Sequence, residues 1–233
     1  MITIIDNKKM GRSDLGWLHS IFHFSFAEYY NPNNIQFGNL RVVNDDIIEP
    51  GMGFDTHPHK DMEIVSYVVE GVLTHKDSMG NQHSLTRGQV QYMSAGTGVT
   101  HSEFNLADQP SRFLQIWVLP DKKGYQPTYG DFRFEWSDRE HKWLHLVSDI
   151  KGDAPIKIHQ DMQIYATCLD DKETINYPLA QGRQAYIIQI EGTSVINGMD
   201  IHEKDAAMVN SEPTLTISAK AKSHVMLFDM IKQ

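Results

Sequence analysis

The sequence predicts an all-β protein. Three observations carry that expectation. Short runs rich in Val, Ile, Tyr and Phe recur along the chain; Gly, Asn, Asp and Pro punctuate them; and no long stretch follows a helical apolar period. In order, the runs are residues 40–43, 63–69, 89–93 and 113–119, then 164–169, 185–190, 193–196, 206–209, 214–219 and 225–230. Strands this short with turn signals between them favour a sandwich or barrel over alternating α/β. Asp77-Ser-Met-Gly80-Asn81 and Ile196-Asn197-Gly198-Met199 read as hairpin turns, because Asn and Gly tolerate a positive φ. Short helical turns are expected only near 13–20 or 137–141.

Composition narrows the function. The chain has 233 residues, 40% hydrophobic and 22% charged, which excludes wholesale disorder and leaves room for two small domains. Its 21 Lys+Arg against 30 Asp+Glu give a net charge of −9, so a non-specific nucleic-acid binder is not expected. The basic residues do not cluster beyond pairs such as Lys8-Lys9 and Lys122-Lys123. The single cysteine, Cys168, excludes an intramolecular disulfide framework and a cysteine-based zinc cage. No apolar stretch approaches the ~20 residues of a spanning helix, and the first residues lack a secretory pattern. A cytoplasmic protein without membrane partners is the expectation.

A weak internal repeat divides the chain. Tyr67-Val-Val-Glu-Gly71-Val-Leu, Gly80-Asn81 and Thr86-Arg-Gly88-Gln follow a strand, turn, strand, turn rhythm. Ile188-Gln-Ile-Glu-Gly192-Thr-Ser-Val, Asn197-Gly198 and Glu203-Lys-Asp205-Ala repeat it. Two related β units in tandem are expected. The polar stretch 120–131, with Lys122-Lys-Gly124 and Pro127, places the boundary between residues 1–130 and 131–233.

Histidine placement carries the chemistry. In Gly51-Met-Gly-Phe-Asp-Thr-His57-Pro-His59-Lys-Asp-Met-Glu63, two histidines sit at i and i+2. Strand side chains alternate, so both rings lie on one side and reach one ion. A second segment, Ser94-Ala-Gly96-Thr-Gly98-Val-Thr-His101-Ser-Glu103, repeats the spacing after a Gly-rich turn. Either pair alone reads as a surface feature; together, in one β unit with Gly turns, they read as a metal site. Three imidazoles and a carboxylate suit Fe(II), Cu(II), Ni(II) or Zn(II) rather than Mg²⁺ or Ca²⁺.

These segments resemble the two cupin motifs, and in detail the chain resembles the pirin family. The strings that carry the likeness are Phe22-His-Phe-Ser-Phe26-Ala-Glu-Tyr29, Leu40-Arg-Val-Val-Asn-Asp45, Thr56-His-Pro-His-Lys-Asp-Met-Glu63 and Asp77-Ser-Met-Gly80. Met93-Ser-Ala-Gly-Thr-Gly98, His101-Ser-Glu103-Phe-Asn105, Gln115-Ile-Trp117 and Ile158-His-Gln-Asp161 complete them. The resemblance implies a bicupin, two tandem jelly-roll barrels, with one divalent transition metal in the N-terminal barrel. It implies His57, His59, His101 and Glu103 as ligands, with Fe(II) foremost and Cu, Ni, Co, Mn or Zn as alternatives. It also implies cleavage of a flavonol such as quercetin by O₂ with release of CO. In that reaction Glu103 would either take the 3-hydroxyl proton as general base or stay bound to the metal and orient the substrate. The alternative it leaves open is a metal-loaded, iron redox-sensing regulatory module that binds a protein partner.

Other residues draw smaller expectations. Glu63 is expected outside the ligand set, orienting a ligand from behind. The second unit has Gln184-Ala-Tyr186 and Met199-Asp-Ile-His202 where a His pair would stand, so its barrel is expected to be metal-free. His19 and His23, with Phe22, Phe24 and Phe26, are candidates for the pocket mouth. Residues 158–161 read as a hydrogen-bonded turn between the domains. His75, His83, His141, His145, His202 and His224 read as surface or structural, and Cys168 as an inert buried thiol.

Overall fold

The structure, a computed structural model, describes residues 1–232. It is all-β, with two short 3-10 turns, Asn7–Lys9 and Trp136–Arg139, among the described residues. No helix there is long and apolar enough to cross a membrane. The predicted strands form, generally extended at their ends: residues 63–69 lie in Glu63–Glu70, 185–190 in Arg183–Glu191 and 225–230 in Ser223–Ile231. The segment 13–20, expected as a helical turn, is instead a hairpin. Ser13 pairs with Ser20 and Asp14 with His19, around Gly16 at φ +79°.

Two compact units emerge. One comprises residues 11–135 with 158–160; the other comprises 1–10, 136–157 and 161–233. The expected break at 130/131 would cut the strand Thr128–Phe132, which is paired along its length with Val90–Ser94. The first ten residues also leave the N-terminal unit, because Ile2–Ile5 pairs antiparallel with Ala206–Asn210.

Each unit consists of a seven-stranded and a four-stranded sheet. In the N-terminal unit the larger sheet runs Thr128–Phe132, Val90–Ser94, Glu63–Glu70, Ser111–Val118, Leu40–Ile48, Leu18–Phe22, Gly11–Asp14. The smaller runs Gly53–His59, Val99–Phe104, Val72–Asp77, Gln82–Thr86. In the C-terminal unit, Ala206–Asn210, Arg183–Glu191, Ser223–Ile231 and Met162–Leu169 adjoin in the same sense. Ile2–Ile5 occupies the edge position that Thr128–Phe132 holds in the other unit.

The repeat therefore has a structural basis. Gly71 and Gly192 follow equivalent central strands with φ of +77° and +79°. A Cβ on either would meet the next central strand, 2.9 Å from Ser111 Cα and 3.0 Å from Ser223 Cα. Only glycine fits that conformation and that approach.

What fills the two interiors differs. In the C-terminal unit Ile187, Ala207, Leu215, Ile217, Val225 and Leu227 pack together with no exposure. In the N-terminal unit one apolar cluster forms around Leu18, Ile48, Val68, Leu73, Leu85 and Phe113, and another around Ile64, Met93, Ala95 and Val99. The same unit buries Ser66, His75, Gln91, His101, Glu103 and Gln115. Buried polar groups are costly unless partnered, so such a cluster calls for an account of its partners.

Candidate metal centre

The strands Gly53–His59 and Val99–Phe104 position the histidines. They pair antiparallel with His101 opposite His57 and Val99 opposite His59. Gly53 permits close approach: a Cβ there would stand 2.6 Å from Phe104 Cα. On Gly53–His59 the alternation puts His57 and His59 on one side while Thr56 and Pro58 face solvent. On Val99–Phe104 it buries His101 and Glu103. A register shift between His101 and Glu103 separates these two from a uniform ladder.

One ring nitrogen from each of His57, His59 and His101 lies within 4.8 Å of the others. His57 Nδ1 is 2.7 Å from the Asp55 carbonyl, which can only accept, so Nδ1 carries a hydrogen and the ring, with one proton, presents a bare Nε2. His101 Nδ1 is 3.4 Å from His75 Nδ1, and His75 Nε2 is 3.1 Å from Asp77 Oδ2. Burial opposes ionisation of Asp77, but hydrogen bonds from Asn81 and His75 together hold its carboxyl below the usual range. With one proton per ring, His75 donates to Asp77 and accepts from His101, which leaves His101 Nε2 bare as well. The bare nitrogens of His57 and His101 face each other at 3.1 Å. Two lone pairs at that distance repel, and a cation between them would turn the repulsion into ligation. The residues fit a metal.

Electrostatics agree. Burial first, then the neighbouring rings of His101 and His57, push His59 down to about 4. Burial, then His57 and His75, push His101 down to about 3. Both rings are neutral at pH 7, the form that ligates.

Glu103 stands differently from the expectation for the four residues. Within the same 4.8 Å limit it groups with His75 and His101, not with His57 and His59. Gln91 Nε2 and Gln115 Nε2 donate to its two oxygens at 2.6 Å each. Ser66 Oγ lies 3.0 Å from Glu103 Oε1 and also from Gln115 Oε1. Oε2, with one donor, keeps a lone pair for a metal or a proton. The donors form a row across the larger sheet: Gln115 pairs with Ser66, and Ser66 with Gln91.

His75, read from the sequence as surface or structural, lies behind His101. It is fully buried, and it orients His101 from behind. Its signal was available: His75-Lys76-Asp77 carries the same i, i+2 spacing as the two metal motifs. Glu63, expected near the ligands, instead accepts from Tyr92, Ser94 and the backbone N–H of His159. The turn at 158–160 clusters with the N-terminal unit, where the His159 ring stacks on Tyr125. In the C-terminal unit His141, Asp170 and Glu173 lie within ligand distance of one another at the surface.

A cavity of about 330 Å³ opens against the histidines. His57, His59 and Glu103 line one part, and Phe22, Phe26, Phe54, Leu15, Leu18 and Trp117 supply apolar wall. Of the proposed mouth residues, Phe22 and Phe26 line it; His19, His23 and Phe24 do not. Trp117 meets His59 edge-to-face at 4.9 Å and Phe26 at 5.4 Å.

A pirin family model matches residues 5–118, and a model described as quercetinase C-terminal cupin domain matches residues 145–230. A quercetin 2,3-dioxygenase of Escherichia coli K12 is 42% identical over 231 residues, 99% of each chain. The chain belongs to the pirin family. A pirin-like protein of Caulobacter vibrioides is 40% identical over 230 residues, 97% of this chain and 99% of that one. The crystal structure of the bacterial pirin YhhW of Escherichia coli in complex with nickel(II) superposes with a TM-score of 0.94 at 39% identity, covering 100% of both chains. The bicupin architecture expected from the motifs is thus the architecture of this pirin, with a candidate His/Glu metal site in its N-terminal cupin.

Proposed function

We propose that this pirin is a metal-dependent dioxygenase that opens the heterocyclic ring of a flavonol such as quercetin, taking up O₂ and releasing CO. The observation that carries the reading is a cavity with aromatic walls whose one side is built from His57, His59 and Glu103. Its volume of about 330 Å³ lies within the ~300–1,000 Å³ range of small-molecule sites. Relatives at about two-fifths identity bear the dioxygenase name, which supports the same reading.

His57, His59 and His101 would hold one divalent ion, Fe(II) first among those the set suits, and Glu103 would complete the site through Oε2 until that oxygen takes up a proton. When bound, the metal would supply Lewis acidity and a redox-active centre beside the flavonol. The chain's own residues do the rest. Glu103 accepts the proton of the flavonol 3-hydroxyl, held at the right place by Gln91, Gln115 and Ser66. Phe22, Phe26, Phe54 and Trp117 stack on a planar ring system and exclude water. His75 and Asp77 fix the His101 ring.

The test is incubation of metal-loaded protein with quercetin in air, following loss of flavonol absorbance together with CO. Stoichiometric CO with turnover is expected. Absence of turnover with every one of Fe, Ni, Co, Mn, Cu and Zn overturns the dioxygenase reading.

A further inference from the structure

The polar row that holds Glu103 does not stop at Gln115. The next residue across the sheet is Asn44, paired directly with Gln115 on the strand Leu40–Ile48. Two positions on, on the same face, stands Asp46, paired with Ser20 and hydrogen-bonded to it. Asn44 is 3% exposed and Asp46 2%. All three line the cavity. Yet Asn44 Oδ1 and Asp46 Oδ1 are buried with no hydrogen-bond partner, and so is the indole N–H of Trp117 in the same wall.

Three orphaned polar atoms in one cavity, at and beside the end of a row whose other members are satisfied, need an explanation. Leaving a buried acceptor unpaired costs stability, and an apolar residue would avoid the cost. A ligand that brings the missing partners removes the anomaly. Asn44 Oδ1 accepts, the indole donates, and the Asp46 carboxyl accepts when ionised and can donate when protonated. Their complement is an aromatic ring bearing hydroxyl donors, with an oxygen acceptor within reach of the indole.

We propose that Asn44, Asp46 and Trp117 form a hydroxyl-recognition subsite, which selects polyhydroxylated planar aromatics over their unsubstituted analogues. It rests on the flavonol reading above and adds the determinant of substrate class: the metal end takes the enol oxygen, and this subsite takes ring hydroxyls. Asn44 and Asp46 belong to neither the proposed ligand set nor the proton-transfer step, so they act on selection.

The experiment measures affinity by quenching of tryptophan fluorescence in nickel-loaded protein, with quercetin and with 3-hydroxyflavone, which keeps the 3-hydroxyl but lacks the ring hydroxyls. Wild-type protein is expected to prefer quercetin by on the order of tenfold or more, about one hydrogen bond's worth at a buried site. In Asp46→Leu and Asn44→Leu the preference should collapse toward unity while 3-hydroxyflavone affinity holds. Equal affinities in wild-type protein, which require no variant, overturn the subsite and leave the flavonol reading intact. An unchanged preference in both variants does the same. If neither flavonol binds wild-type protein, the flavonol reading and the subsite fall together.

Discussion

His75 Nδ1 lies 3.4 Å from His101 Nδ1, and the far nitrogen of the His75 ring lies 3.1 Å from Asp77 Oδ2. The carboxylate fixes one tautomer, that tautomer fixes the next, and the bare nitrogen of His101 ends up aimed at His57. A charge at the edge of the site thus sets the ligand state at its centre.

Asp77→Asn should therefore weaken metal binding without removing a ligand. The amide can donate to His75 where the carboxylate only accepts, so the relay loses its direction. A loss of roughly 10–100-fold in metal affinity is expected, as for other partners standing behind a ligating histidine. Competition against a chelator of known strength measures it. Lys76→Ala, on the exposed face of the same strand, is the control and should leave affinity unchanged.

Glu103→Gln keeps size and one oxygen while removing charge and basicity. It should retain much of the metal held by the three imidazoles and lose about two to four orders of magnitude in quercetin turnover, the range for a positioned general base. Metal content and rate must come from one preparation. Wild-type turnover in the variant would leave Glu103 without the proton-transfer role.

One metal per chain is expected, with binding abolished in His57→Ala/His101→Ala. Elemental analysis of protein purified without chelators decides. A stoichiometry near two would point to a second site, and the surface group His141, Asp170 and Glu173 would be the first to remove.

The pH dependence of metal-free stability carries two opposed contributions. Burial pushes His23 from 6.5 down to about 4, against the attraction of Asp45. A depressed histidine leaves its stabilisation complete above pH 6.5 and loses it as pH falls toward 4, because only the unfolded chain takes up the proton. Burial pushes Asp46 from 3.8 up to about 7, so the folded chain holds the extra proton and stability falls as pH rises through that window. Asp46→Asn cancels the second contribution. Its melting-temperature advantage over wild type should be larger at pH 8 than at pH 5, by thermal denaturation in chelator. An equal difference at both values would show that Asp46 titrates normally.

Much of the fold was legible because central strands are apolar on both faces: 63–69, 185–190 and 225–230 stand out by composition alone. The His57, His59, His101 arrangement was legible because i, i+2 spacing needs only the period of a strand. Three features were hidden for physical reasons. The strand Leu40–Ile48 runs past the apolar segment 40–43, whose composition ends at Val43; tertiary context keeps Asn44-Asp45-Asp46 extended, with Asp45 held by a bidentate Arg112 at 2.8 and 2.7 Å. Gly11–Asp14 carries no apolar alternation, and only pairing with Leu18–Phe22 makes it a strand. The exchange of residues 1–10 into the C-terminal unit depends on Ile2–Ile5 meeting Ala206–Asn210, a long-range match that local pattern cannot reveal.

That exchange has a consequence for how the chain matures. The Asn210 N–H donates to the Met1 carbonyl, a bond that spans 209 residues. On the ribosome, residues 11–135 can complete their own two sheets while Ile2–Ile5, made earlier, has no partner to pair with. Its partner exists only after residue 210 has been synthesised, and until the two meet, Ala206–Asn210 presents an open edge that another nascent chain can occupy. Pairing across that separation makes this edge of the sheet slow to close, because the loop entropy between the two strands is lost before their contacts form.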